Sequence, residues 1–365
     1  MNNQTPARSH YPGLDGLRGI AILLVILYHN FAFLPFLNYG WLGVDLFFVL
    51  SGFLITEILL QTRNANNYFK NFYSRRVLRI FPLYYLCLIL VILIFPLFKN
   101  FPYDQSYFQQ NQLWFWFYLQ NWMLIFTDWN NNSIILNHFW SLAVEEQFYI
   151  IWPFLVLIIK KPKNLLLITF ILLVSVILAR YLIWINKEDF PTYGNLFLFT
   201  RVDGILIGAM LALLKVINYD FLKKYAFVVT FSLALINFLF YFINSTQNFT
   251  FPFWAIVGYT TFAVMFAMLV FETIDRKNKF LNFILNNPVL RFTGKISYGF
   301  YVFHWPVYIL LYDAVDKVVR NSITFSETGI NAIVALVLTL FAFVISVISY
   351  YGFERYFLKL KKAFV

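Results

Sequence analysis

Eleven windows of this chain are apolar enough to cross a bilayer: 17–37, 39–61, 80–98, 112–128, 138–159, 165–185, 197–216, 225–243, 253–272, 296–313 and 328–352. No water is available inside lipid, so each crossing segment must satisfy its own backbone, and consecutive long apolar runs are expected as helices. The chain is 61% hydrophobic and 12% charged, against roughly one half and one quarter in soluble domains. The expected fold class is therefore an all-α polytopic membrane protein. A length of 365 residues does not by itself call for a second domain. The N-terminus is polar and short, and no small-residue cleavage site follows the first apolar run, which is expected to stay as an uncleaved anchor. Cys87 is the single cysteine, which rules out an internal disulfide.

Charge decides how many windows cross. Cationic clusters lie at Arg63 to Arg79, Lys160 to Lys163, Lys215 to Lys224, Arg276 to Lys295 and Arg355 to Lys362. Eleven crossings would put them on both faces. Omitting Leu113 to Trp129, a tryptophan-rich stretch that reads as interfacial or re-entrant, puts every cluster on one face. Of 28 Lys and Arg, four (Lys99, Lys187, Lys317, Arg320) then fall in opposite loops and two (Arg180, Arg201) inside spans, leaving 22 on the cationic side. Cationic loops face the cytoplasm. The expectation is about ten transmembrane helices with both termini cytoplasmic. The net charge of +11 then reads as a topology signal and an attraction to anionic headgroups or an anionic cytosolic ligand, with no need for nucleic acid.

Ionisable groups inside spans are functional candidates. His29 lies eleven residues after Arg18, a rise of about 16 Å on a helix, so Arg18 sits at one face while His29 is deep. Asp45 is as far beyond the turn near Leu37 as His29 is before it, which puts both at similar depth. A carboxylate there could orient the imidazole, and a structural polar pair is the alternative. The run from His138 through Ser141 to Glu145-Glu146 enters from the outer face. The two glutamates diverge by about 100°, so one at most faces a given site and the other could pair with Arg180 or Arg201. Arg201 and Asp203 also diverge and are expected to clamp other helices, with acceptor contact as a second role. His304 stands beside the kinking Pro306, with a structural or a site role. Arg76 and Arg79 share a helix face, and their guanidinium forks suit phosphates as well as orientation signalling. No P-loop, paired-cysteine metal site or strong multi-histidine cluster is evident, and the Gly13-x-x-Gly16-x-x-Gly19 spacing lacks the strand a dinucleotide fold needs.

Taken in order, these residues resemble membrane-bound acyltransferase family 3, the group that includes polysaccharide O-acetyltransferases. The resemblance runs from Tyr11 to about Leu358. Arg18 with His29 fits the family's Arg/Lys-x10-His signature. The run Gly43 to Thr56 resembles its second-helix motif, and Arg76-x-x-Arg79 its arginine pair. Phe139 to Tyr149, Arg201-Val-Asp203, Gly294 to Pro306 and Glu354-Arg355 also have counterparts. The resemblance implies one transmembrane acyltransferase domain over 1–365, with its core at 11–358 and no fused soluble hydrolase-like domain.

The resemblance further implies an acyl-CoA donor, usually acetyl-CoA, and a hydroxyl acceptor on an extracytoplasmic or membrane-bound glycan, such as lipopolysaccharide O-antigen, peptidoglycan or exopolysaccharide. Arg76 and Arg79, with Arg18 and Lys295, would hold the donor phosphates. His29 would be the base, or would first take the acyl group, oriented by Asp45, Glu145 or Glu146. His138, Ser141, Arg201, Asp203 and His304 would contact the acceptor. No metal is expected. Expected partners are acyl-CoA, the glycan and membrane lipids, and a homo-oligomer or a separate extracytoplasmic partner stays open. The implied location is the bacterial cytoplasmic membrane. The rival reading is a lipid or glycan transporter or flippase, although the internal repeats usual in transporters are not evident.

Overall fold

A computed structural model describes residues 11–97, 105–127, 131–186, 193–194, 196–243 and 257–364. Lys99, Trp129 and Lys187 lie outside the described residues. The described chain is all-helical, without a strand. The main helices are α1 (Pro12–Asn30), α2 (Leu42–Thr62), α3 (Tyr68–Leu88), α4 (Gln105–Trp116), α5 (Gln120–Phe126), α6 (Trp140–Ile158), α7 (Pro162–Ile185), α8 (Asp203–Ile217), α9 (Tyr219–Ile243), α10 (Tyr259–Asp275), α11 (Pro288–Lys295), α12 (Ser297–Ser322), α13 (Glu327–Ser349) and α14 (Arg355–Leu360).

By length and composition, seven described helices can cross a membrane: Pro12–Asn30, Tyr39–Thr62, Tyr68–Leu97, Ile135–Ile158, Pro162–Ile185, Tyr219–Phe240 and Glu327–Ala363. The three further windows expected to cross hold α8, α10 and α12. The first two are only 15 and 17 residues long, and α12 carries Asp313, Asp316, Lys317 and Arg320 in its last turns. The tryptophan-rich stretch does not form one long helix. It breaks into α4 and α5 at Tyr118, whose φ of 56° is left-handed. At 12 and 7 residues, these pieces rise about 18 and 10 Å, short of a hydrocarbon core of about 30 Å.

Two close helix crossings set the frame. Between α2 and α8, a Cβ added to Gly52 would lie 1.9 Å from the carbonyl oxygen of Ile205, and one on Gly208 would lie 2.1 Å from that of Val49. Between α1 and α11, a Cβ on Gly19 would lie 2.2 Å from the Leu290 oxygen, and one on Gly294 would lie 1.8 Å from that of Asp15. Small residues let membrane helices approach this closely, and dispersion and polar contacts then hold them. The Gly13-x-x-Gly16-x-x-Gly19 row is thus a packing face: Gly13 meets Thr273, Gly16 meets Leu285 and Gly19 meets Leu290. Much of α7, α9 and α13 presents large apolar side chains outward, including Phe170, Phe227, Phe231 and Leu340, as a lipid-facing surface requires.

Candidate active site

A cavity of about 300 Å³ opens among the first turns of α1, the Arg75 to Ile80 stretch of α3 and Lys361, then runs inward between α2, α6 and α12. Its mouth is cationic. Arg18, Arg75, Arg76, Arg79 and Lys361 line the cavity, accompanied by Asp15 and Glu145. Arg18 pairs with Asp15 at 3.2 Å. Arg76 lies over the ring of Tyr149, 5.6 Å from its centroid, in cation–π contact. The structure brings Arg18, Arg76 and Arg79 together. It places Lys295 elsewhere, with its ammonium 5.2 Å from the centroid of Tyr350 and outside the cavity lining. Arg75 and Lys361 are cationic lining residues that the sequence reading did not single out.

Deeper in, α6 contributes one polar stripe. Ser141, Glu145 and Tyr149 are spaced by four residues, so they share a helix face, and all three line the cavity. The Tyr149 hydroxyl donates to Glu145 Oε2 at 2.6 Å. Its single proton is then committed, so Ser51 Oγ is the donor in the Ser51–Tyr149 hydrogen bond. Glu146, one position on, does not line the cavity. It is buried, and its Oε1 has no hydrogen-bond partner among the described residues.

The inner end is a pair of hydroxyls. Tyr301 donates to the carbonyl of His138, so the Ser141 hydroxyl donates to Tyr301 across 2.7 Å. Beyond this pair, three imidazoles meet in sequence. His138 and His304 have ring centroids 5.1 Å apart, and His304 and His29 are 5.0 Å apart. Trp305 covers His29, also at 5.0 Å. These histidines come from α1, α12 and the segment before α6, so their meeting is a product of packing that no sequence motif showed. No group of three His, Cys, Asp or Glu among the described residues is placed to hold a metal ion.

His29 Nδ1 lies 2.8 Å from the Val25 carbonyl oxygen. A carbonyl only accepts, so Nδ1 carries the proton, and in the neutral ring Nε2 carries the lone pair. His304 Nδ1 is held in the same way by Tyr301 O at 2.7 Å. His29 does not line the cavity. The ring of His304 fills the interval between His29 and Tyr301, whose ring centroid is 5.6 Å from its own.

Asp45 does not orient His29. It pairs with Arg201 at 2.7 Å, with both side chains buried. The cause is helical phase. Gly43 packs on α1, where a Cβ would lie 2.2 Å from Ala21 O, and Asp45 two residues later is turned by about 200° toward α8. Neither glutamate pairs with Arg180 or Arg201. Arg180 pairs with Asp203 at 2.9 Å and donates to Thr260 Oγ1, which donates on to Asp203 at 3.0 Å. Arg201 also sits 4.2 Å from the ring centroid of Tyr259. Arg201 and Asp203 thus clamp α2, α7, α8 and α10, and neither lines the cavity.

A family model described as an acyltransferase domain matches residues 11–351. The chain is 30% identical to the "Peptidoglycan O-acetyltransferase OatA" of Listeria monocytogenes, over 96% of this chain and 58% of that protein. It is 34% identical to the "Putative peptidoglycan O-acetyltransferase YrhL" of Bacillus subtilis, over 85% of this chain and 50% of that protein. The chain spans about half the length of these curated relatives. No solved structure matches it. With the match running across nearly every helix that builds the cavity, the chain belongs to acyltransferase family 3.

Proposed function

We propose that this protein moves an acyl group, acetyl first among them, from a cytosolic acyl-CoA to a hydroxyl of a cell-envelope glycan, with a peptidoglycan-type polymer ahead of lipopolysaccharide. One observation carries this reading. A single cavity runs from a cluster of five cations to a buried hydroxyl pair, behind which His304 and then His29 are stacked. Guanidinium groups at the mouth suit the donor's phosphates. The apolar interior, walled by Phe48, Leu50 and Leu142, suits the uncharged pantetheine arm.

In this reading the acyl-CoA enters from the cytoplasm, the thioester advances to the Ser141–Tyr301 pair, and the His304 ring that separates this pair from His29 turns aside to let the two meet. The acceptor hydroxyl gives its proton to His29 Nε2 as its oxygen attacks the thioester carbon. The carbon–sulfur bond breaks, and CoA leaves as a thiolate that takes up a proton. Tyr11 and Lys361 both line the same cavity, so the two ends of the described chain share one side. That placement supports ten crossings in a bacterial cytoplasmic membrane with both ends cytoplasmic. The relatives named as peptidoglycan O-acetyltransferases support the acceptor class.

The test is turnover of acetyl-CoA by the purified full chain in proteoliposomes containing a chito-oligosaccharide. Release of free CoA together with an O-acetylated oligosaccharide is expected. Movement of the glycan without CoA release would identify a transporter and overturn the proposal.

A further inference from the structure

Besides the Arg76–Arg79 pair and Arg18, which is paired with Asp15, the cavity lining holds two further cations, Arg75 and Lys361. Residues 361–364 lie against α3. Arg75 Nη1 donates to the carbonyl of Phe364 at 2.6 Å, and Lys361 joins the cavity lining. Arg75 precedes Arg79 by one helical turn, about 6 Å along the axis, and so lies farther from the inner hydroxyl pair. A guanidinium has five N–H donors, and the bond to Phe364 uses one of them.

Resting on the acyl-CoA reading, we infer that Arg75 and Lys361 form a distinct subsite for the ribose 3′-phosphate of CoA. The chain would thereby select 3′-phosphorylated CoA thioesters over 3′-dephospho-CoA and simple pantetheine thioesters. Charge and reach both point this way. Five cations face two carboxylates in the lining, and Asp15 is engaged by Arg18. A diphosphate alone brings about two negative charges, and a phosphate monoester adds about two more. The thioester leads and the nucleotide trails, so the 3′-phosphate comes to rest at the outermost cations. Arg18, Arg76 and Arg79 are left for the diphosphate. The residue 361–364 strap is then a recognition element, tethered through Phe364 to the same arginine that reads the phosphate.

Isothermal titration of the full chain in detergent with CoA and with 3′-dephospho-CoA tests this. Wild type is expected to bind CoA at least about tenfold more tightly, the scale of one lost charge-assisted contact. Lys361→Ala and Arg75→Ala should each bring that ratio toward one, whereas Arg79→Ala should weaken both ligands together. Lys361 is only half-buried, and the ratio is read on one sample, so incomplete folding does not imitate the result. Equal binding of the two nucleotides by wild type, or a parallel loss of both in Lys361→Ala, would overturn the subsite while leaving the donor reading standing. Failure of wild type to bind either nucleotide would overturn the donor reading itself.

Discussion

Asp45 on α2 and Arg201, the last residue of the short helix Leu198–Arg201 just before α8, form a buried ion pair, with Oδ1 of the carboxylate 2.7 Å from Nη2 of the guanidinium. The carboxylate expected beside the histidine is therefore a helix clamp. Removing one partner of a buried pair leaves the other charge uncompensated, at a cost of about 3–5 kcal/mol. Asp45→Asn should lower the thermal midpoint of the purified protein. It should leave the pH–rate profile of the folded fraction in place, because His29 is held by a backbone carbonyl. A displaced pH profile at unchanged stability would instead return Asp45 to the base.

The cationic mouth separates two residues that the sequence treats alike. Arg79 lines the cavity and Lys295 sits over Tyr350. Arg79→Ala should raise the Kd for CoA roughly tenfold, as expected for a lost charge-assisted hydrogen bond. Lys295→Ala should change it less than about twofold. Calorimetric titration of both variants measures the difference, and equal losses would place Lys295 in the donor site.

The α2–α8 crossing holds the ion pair in place and leaves no room for growth. At Gly208, a Cβ would stand 2.1 Å from Val49 O and 2.8 Å from Phe53 N, both backbone atoms that cannot move aside. Gly208→Val should force the helices apart and break the contact between Asp45 and Arg201. Overpacking costs typically 1–3 kcal/mol and occasionally more, so the variant should be recovered in low yield with a reduced melting temperature. A wild-type melt would contradict this packing.

Much of the helical frame is legible in the sequence because the bilayer limits the choices. Long apolar runs become helices, and the tryptophan-rich stretch announces itself as different. Helices α8 and α10 fall within windows read as crossing, but their short lengths of 15 and 17 residues do not show in the apolar pattern. Within the site, the stripe of Ser141, Glu145 and Tyr149 follows from a spacing of four residues, yet Tyr149 passes unnoticed as an ordinary aromatic among many. The pairing of Asp45 with Arg201 joins residues 156 apart, and the depth argument that set His29 level with Asp45 carries no information on which way each helix face turns. The meeting of His29, His138 and His304 likewise depends on three separate segments packing together. Arg75 and Lys361 read as topology signals until packing brings residues 361–364 beside α3.

Comparison of wild type with His29→Ala in proteoliposomes, both checked for a normal melting transition, bears most directly on the role of the imidazole. Free CoA and O-acetylated chito-oligosaccharide are measured together. A folded His29→Ala protein that still binds CoA but turns over about 10²–10⁴-fold more slowly, the usual cost of removing a general base, is the expected result. Turnover at the wild-type rate by that folded variant would contradict a catalytic role for His29.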